Sequence, residues 1–358
     1  MPVQSSQNLS NPQNVYIGLD VHLRQWNVCI IQHGIKRKPF QQTPTVEALM
    51  SHLKKNYPGM QYFSAYEAGV SGYTIHYALE KAGIHNIIVN PADIAQTDKE
   101  RARKTDSIDA AKIARELSEG KLRCIYIPAE DQLEDRSLLR CRQMLITDVR
   151  RTKCRIRHFL HCRGVSIPDA YKRYWSKAFF RWLKEDCKEM LGPSSHPALL
   201  SLVEMLEVEQ KKLYEVGRRI LALMRTEKYA DNFKLIRTAP GVGIITAFTI
   251  LLECGDLSGF SSADKFCAFI GLIPDMNQSD QHEGKTRMTK RRHRCLRYMF
   301  TECAWKAVSN SAALSSYFAK QSCKMDKNKA IVKVAHKIAK IIKSILKNKK
   351  AYVPVEQK

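Results

Sequence analysis

Four acidic residues have the types and spacing to hold a metal ion. Asp20 closes a short apolar run, Tyr16-Ile17-Gly18-Leu19, and Glu67 closes a second, Tyr62-Phe63-Ser64-Ala65-Tyr66. Asp106 and Asp109 are three residues apart, a spacing that puts both on one face of a helix. Taken alone, Asp106 in Lys104-Thr105-Asp106-Ser107-Ile108-Asp109-Ala110 reads better as a helix N-cap than as a ligand. Four acids in this order suggest more. Clustered carboxylates repel one another unless a hard cation offsets their charge, and Mg²⁺ (or Mn²⁺) takes oxygen ligands. Two such ions can polarise a phosphate and stabilise both the attacking and the leaving oxygen. Ser279, in the polar stretch Asn277-Gln278-Ser279-Asp280, reads by itself as a turn residue.

The elements that must position these residues fall into three parts. Residues 15–127 read as α/β. Strands are predicted over 16–21, 26–31 and near 36–42, then a helix from Val46 to Tyr57 stopped by Pro58-Gly59. A strand over 62–66, a helix over 71–82 closed by Gly83, a strand over 87–89 and a helix over 106–117 complete it. Three meandering strands followed by alternating helices and strands is an RNase H-like order, a fold that sets its metal ligands at strand ends. Residues 1–14 are expected to be a disordered N-terminus and 351–358 a tail.

Residues 128–230 read as a helical coiled-coil insertion. Leu138, Leu145, Thr152 and Phe159 recur every seven residues, as do Leu199, Leu206, Leu213 and Ile220, with Glu209 interrupting the second seam. The helices are expected to pair, within the chain or between chains. Arg150, Arg151, Lys153, Arg155 and Arg157 give the first of them a basic face, which is either solvated or turned to phosphate. Residues 164–197 suggest an irregular connection around a short Trp-rich helix.

Residues 231–350 are expected to be mainly α. Ala239-Pro240-Gly241-Val242-Gly243 before the apolar run Ile244–Leu252 resembles a helix-hairpin-helix turn. There Gly241 and Gly243 would let backbone N–H groups approach a phosphate, the alternative being a plain αα turn. At the end of the chain, Ile331, Ala335, Ile338, Ile342 and Ile345 share one helix face beside Lys333, Lys337, Lys340, Lys343 and Lys347. A docked terminal helix with a basic outer side accounts for this better than a membrane-surface helix.

Charge supports a polyanionic partner. The 59 Lys and Arg against 35 Asp and Glu leave a formal net charge of +24, and nucleic acid is the ordinary partner of such an excess. At 44% hydrophobic residues the chain should bury a real core. No apolar run has the length of a membrane span and the first residues carry no signal core, so a cytoplasmic, nucleoid-associated protein is expected. The 11 cysteines include no C-x-x-C pair and read as reduced, mostly buried small hydrophobes. His158, His161 and Cys162 read as residues of a basic helix rather than metal ligands.

Two unrelated signatures, in the same order along residues 14–346, make the chain resemble the DEDD transposases of bacterial insertion sequences. This family includes the Piv-type DNA invertases and the bridge-RNA-guided recombinases. The first signature is Tyr16-Ile17-Gly18-Leu19-Asp20, Tyr66-Glu67-Ala68-Gly69 with Gly72-Tyr73, and Lys104 to Ala110. The second joins Ala239 to Gly243 with Ala268-Phe269-Ile270-Gly271-Leu272-Ile273-Pro274, Ser279, Gly284 to Lys290, Leu296-Arg297 and Ala304-Trp305.

The resemblance implies a RuvC-like domain, a coiled-coil insertion and a C-terminal transposase domain that supplies a serine nucleophile. It implies that Asp20, Glu67, Asp106 and Asp109 bind Mg²⁺ and that Ser279 attacks the DNA phosphodiester. It also implies a homo-oligomer (dimer or tetramer) whose subunits share a site, and a non-coding guide RNA that pairs with DNA at the element ends and the target. Lys285, Arg287, Lys290, Arg291 and Arg292, with Arg150, Arg151 and Arg155, are the phosphate-binding candidates. The family usually has Ser-Gly at the nucleophile, whereas Asp280 follows Ser279 here. A nuclease that uses the carboxylates alone, and a decayed transposase that only binds nucleic acid, stay open as alternatives.

Overall fold

The computed structural model describes residues 13–91, 94, 106–173, 175–275, 287–289 and 292–354; the side chains of 106, 107, 275 and 287 are outside that description. The chain forms two compact units, Met1–Glu130 and Asp131–Lys358.

The first unit is a mixed sheet flanked by helices. Its strands are β1 (Asn14–Val21), β2 (Trp26–Gln32), β3 (Ile35–Lys36), β4 (Phe40–Gln42), β5 (Gln61–Glu67) and β6 (Ile84–Val89), and its helices are α1 (Val46–Asn56), α2 (Thr74–Lys81) and α3 (Asp106–Ser118). The sheet order is β3-β2-β1-β5-β6, with β4 also paired to β2. β2 is antiparallel to β1, and β5 and β6 are parallel to it. That is the arrangement of an RNase H-like α/β fold. The single third strand expected near 36–42 is two short strands, because Pro39 has no N–H to continue a ladder. α1 starts where the Thr45 hydroxyl accepts from the Ala48 N–H, a cap of about 1 kcal/mol. Gly83, at φ +87°, turns the chain from α2 into β6.

Alternation along the strands divides the core between two faces. Ile17, Leu19, Tyr62 and Tyr66 pack with Leu49, Leu53 and Leu79 from α1 and α2. Tyr16, Phe63 and Ala65 lie on the other face, under Ala110, Ala111, Ile113 and Ala114 of α3.

The second unit is almost entirely helical: α4 (Glu130–Cys162), α5 (Lys177–Lys184), α6 (Cys187–Met190), α7 (Ser195–Leu223), α8 (Ala230–Ile236), α9 (Ile244–Cys254), α10 (Ala263–Ile270), α11 (Arg294–Asn310), α12 (Ala312–Ser322) and α13 (Lys327–Asn348). A two-stranded ribbon, β7 (Pro274–Asp275) with β8 (Arg287–Met288), joins α10 to α11. The expected Trp-rich helix is α5, which packs Phe179, Trp182 and Leu183 against Val149, Ile156 and Leu160 of α4 and Leu199, Val203 and Leu206 of α7. Side chains of the two long helices therefore meet within one chain. Thr152 and Glu209, the polar positions in the two seams, face each other, and the threonine hydroxyl donates to the carboxylate at 3.0 Å.

The second core is built around α9 and α13. Ile331, Ala335, Ile338, Ile342 and Ile345 are all buried, while Lys333, Lys337, Lys340 and Lys347 stay exposed, so α13 is a docked amphipathic helix. Lys343 departs from this pattern, turning inward to donate to the Leu257 and Phe260 carbonyls. All 11 cysteines are free, but only Cys29, Cys187, Cys254, Cys267 and Cys303 are buried. The mostly buried set expected from the sequence is thus corrected: Cys141 and Cys295 are half-buried, and Cys124, Cys154, Cys162 and Cys323 are exposed.

Candidate active site

β1 and β5 run parallel as neighbours with Leu19 opposite Tyr66, so Asp20 and Glu67 come side by side in the last residues of the two strands. Both follow the odd–even pattern of Tyr16, Phe63 and Ala65 and therefore belong to the face covered by α3. They line one open cavity of about 770 Å³, whose walls are the turn after β1 (Val21 to Gln25) and the loop after β5 (Ala68 to Ser71). The first turn is tight, with the His22 N–H donating to the Gln25 carbonyl at 3.3 Å. It brings the His22 imidazole to 3.1 Å from an Asp20 carboxylate oxygen, Nε2 to Oδ2. His22 was not among the sequence candidates, since a histidine two residues past a strand-end acid has no distinguishing pattern. The Ser71 hydroxyl, donating to the Val21 carbonyl at 3.4 Å, links the two walls.

Asp109 is half-buried in the first turns of α3, directly before Ala110, whose carbonyl lies over Gly18. Asp106 begins the helix, and its side chain is outside the described residues. Among the described residues, no three His, Cys, Asp or Glu side chains are grouped closely enough to hold a metal ion. The donors that do converge, the Asp20 and Glu67 carboxylates, are the hard oxygen ligands that Mg²⁺ or Mn²⁺ takes, and they fit such an ion as part of a set.

Ser279, Lys285, Lys290 and Arg291 lie outside the described residues, as does the Arg287 side chain. The elements that flank them are described. Arg297 on α11 gives one guanidinium nitrogen to the Gly271 carbonyl at 2.5 Å and to the Thr289 carbonyl at 2.7 Å, tying together the two ends of the ribbon connection. His293 caps α11: its Nδ1 accepts from the Leu296 N–H at 3.2 Å, which leaves Nε2 to donate to Glu253 at 3.2 Å. With both ring nitrogens engaged, His293 has none left to act as a base in this arrangement. Glu253 is the only charged residue of apolar α9, and Arg136 and Arg140 of α4 also contact it, at 3.5 and 2.9 Å. That lone charge in an apolar run was the sequence signal for this network.

The helix-hairpin-helix expectation has a concrete geometry. α8, the turn Arg237–Gly243 and α9 follow one another, but the two glycines differ. Gly241, at φ +75°, faces protein: a Cβ there would stand 2.2 Å from the Cys303 carbonyl of α11. Gly243 faces open space at the start of α9, so only its side of the turn leaves room for a phosphate. Arg150, Arg151 and Arg155 are exposed on α4 and Arg292 is exposed before α11. Lys153 and Arg157 of the same α4 surface pack on the Trp175 ring at 5.3 and 5.7 Å. His158 and Cys162 are a surface pair, 3.5 Å apart.

Residues 17–162, which include Asp20, Glu67, Asp106 and Asp109, match the profile of the DEDD transposases of the IS110 type. Residues 233–319, which include Ser279, match the transposase profile of the IS116/IS110/IS902 family. The chain belongs to the IS110-type DEDD transposase family. Within that family it is 26% identical over 251 residues to the transposase for insertion sequence element IS1533 of Leptospira borgpetersenii, covering 68% of this chain and 70% of the relative. It is 24% identical over 274 residues to the transposase for element IS1111A of Coxiella burnetii, covering 75% and 73%. The protein y4qE of Sinorhizobium fredii, which carries a transposase name, is 29% identical over 243 residues, 68% of this chain. The match spans 58% of y4qE's own length. No helix among the described residues is long and apolar enough to cross a membrane.

Proposed function

We propose that this IS110-type transposase is a DNA recombinase that cuts and rejoins the ends of an insertion sequence by metal-dependent phosphoryl transfer, with Ser279 as the nucleophile. The observation that carries the reading is the pairing of Asp20 and Glu67 on adjacent strand ends, in one open cavity, on the sheet face that α3 covers. Asp20, Glu67, Asp106 and Asp109 would hold Mg²⁺ or Mn²⁺. When bound, the metal supplies charge to a phosphoryl oxygen and to a leaving oxygen. The protein's own part is to orient. The strand ends fix Asp20 and Glu67, His22 holds one Asp20 oxygen, and the walls from Val21 to Gln25 and Ala68 to Ser71 give a phosphodiester an open approach. Arg297 and the His293 cap fix the two ends of the connection that bears Ser279.

A serine hydroxyl is a weak nucleophile at neutral pH and needs activation or strong transition-state stabilisation. The sequence around Ser279 carries no Ser-His-Asp pattern, and His282, close to it in sequence, lies outside the described residues; the helpers would be the metal held by the carboxylates and cations such as Lys285 and Arg287. Lys290, Arg291, Arg292 and the exposed arginines Arg150, Arg151 and Arg155 would neutralise DNA or RNA phosphates, and the Gly243 side of the hairpin turn would admit one, while Gly241 packs against α11. The partners would be element-end and target DNA, a non-coding guide RNA and further copies of the chain in a dimer or tetramer. The α4–α7 pair would be the coiled-coil part of that assembly, in a cytoplasmic, nucleoid-associated particle.

The test is chemical. Reactions trapped on suicide DNA substrates, digested and mapped by mass spectrometry, should carry DNA on Ser279, and Ser279→Ala should abolish joining. Attachment at another residue, or full recombination by Ser279→Ala, overturns the nucleophile. Sequencing of RNA that copurifies with the protein should recover one element-encoded transcript, and random cellular RNA would count against a guide.

A further inference from the structure

A glycine inside a fully buried strand gives up side-chain packing, so it usually marks a place where another backbone comes close. Gly18 is such a residue, in the middle of β1. A Cβ built on it would lie 2.0 Å from the Ala110 carbonyl oxygen, 2.4 Å from the Ala114 nitrogen and 3.0 Å from the Ala114 Cα. Real Cβ contacts do not reach the first two distances, and the atoms met are main chain, which cannot rotate aside. α3 thus rests directly on the strand, backbone against backbone. The small side chains of Ala110, Ala111 and Ala114 pack around this point with Tyr16, Cys29 and Ile31.

The seat lies between the proposed ligands. Asp20 is two residues along β1 from Gly18, on the same face. Asp109 is the neighbour of Ala110, and Asp106 starts the turn before it. The depth at which α3 sits on Gly18 therefore sets how far the helix acids stand from the strand acids. Metal coordination tolerates little error here, since Mg²⁺ holds its ligands at about 2.0–2.1 Å in near-octahedral geometry. A displacement of about 1 Å is enough to cost function of the order of a hundredfold in well-oriented sites.

We infer that Gly18, with Ala110 and Ala114, is a positioning element that sets the strand-to-helix spacing of the carboxylates and so the metal affinity of the site. This rests on the carboxylate–metal reading given above. It assigns the three residues no contact with metal or DNA.

The experiment measures Mn²⁺ binding to the full chain by electron paramagnetic resonance, so that no recombination assay is needed. Gly18→Ala should weaken Mn²⁺ binding at least about tenfold in folded protein. Ala114→Gly should not rescue it, because the clash is with main-chain atoms. Leu19→Val, which removes volume from the opposite sheet face, serves as a destabilised control and should bind Mn²⁺ as wild type does. If Gly18→Ala fails to fold, Ala114→Ser and Ala114→Val take its place, with affinity falling as the side chain grows. Wild-type affinity in folded Gly18→Ala, or in both Ala114 variants, overturns the seat. An equal loss in Leu19→Val also overturns it, since general loosening would then explain the effect. Asp20→Asn separates the two levels: if it leaves Mn²⁺ binding intact, the underlying metal reading fails. If it abolishes binding while the seat variants do not, only the positioning role fails.

Discussion

Replacing Glu253 by Gln tests whether the buried charge network at the start of α11 is held by that carboxylate. Glu253 is 2% exposed, and its neighbours divide into those that can recover and those that cannot. Arg140 is half-exposed and can rehydrate. Arg136, at 7% exposure, keeps hydrogen bonds to the Leu252 and Glu253 carbonyls at 3.1 and 2.8 Å but loses its counter-charge. Breaking a buried pair by removing one partner costs about 3–5 kcal/mol. The two retained bonds and the exposure of Arg140 bring the expected loss to about 2–3 kcal/mol. For a unit of this size that is a fall in Tm of about 5–10 °C.

The pH dependence gives a second reading of the same residue. Burial pushes the Glu253 carboxyl up, but the His293 hydrogen bond and the charges of Arg140 and Arg136 outweigh it and hold the group below the usual glutamate value. A carboxyl lowered in the folded state contributes stability that is full above its unfolded value and is lost as pH falls through the folded one. The gap between wild type and Glu253→Gln should therefore be complete near neutrality and close below about pH 4. Calorimetry from about pH 3 to neutral pH reads both effects. A neutral Tm change below about 1 °C, or a gap that widens in acid, refutes the assignment.

Three further outcomes are expected. Gly241→Ala, which combines positive φ with a backbone clash, should cost more than about 3 kcal/mol in urea unfolding, whereas Gly243→Ala, at φ −85° with open space around it, should cost under about 0.5. A comparable cost for the two would contradict the geometry of the turn. DNA affinity should fall steeply with salt, and Arg150, Arg151 and Arg155 changed together to Ala should flatten the log–log slope by up to about 2.7, about 0.9 for each phosphate no longer neutralised. An unchanged slope would remove that face from the interface. Light scattering at micromolar concentration should find a dimer or larger species with nucleic acid bound, and a clean monomer would remove the oligomer from the proposal.

Much of the first unit was legible because its main strands are short, largely apolar and punctuated. Asp20 and Glu67 sit at the ends of β1 and β5, and Pro58-Gly59 and Gly83 stop helices where expected. Ile84, His85 and Asn86 were missed as the start of β6, because a histidine and an asparagine interrupt the apolar pattern on a strand whose side chains alternate between core and exterior. The site was less legible than the fold. Gly18 was read as part of a motif, and its reason, a helix backbone resting on it, is a long-range contact that local periodicity does not encode. Gly241 and Gly243 looked alike in sequence and differ only because α11 packs against one of them. The Glu253 network joins residues more than a hundred positions apart, so the sequence could mark Glu253 as unusual in α9 but not name Arg136 and Arg140 as its partners.

The most direct test of the central claim is strand transfer by Asp20→Asn. Purified chain, with its copurifying RNA, is incubated with Mg²⁺ and a supercoiled plasmid bearing the element ends, and joined products are counted beside nucleic-acid affinity. Loss of joining by at least about a thousandfold, with affinity within about threefold of wild type, is the predicted result, since one oxygen ligand is removed and no phosphate-binding cation is touched. Joining at the wild-type rate by Asp20→Asn would contradict the account.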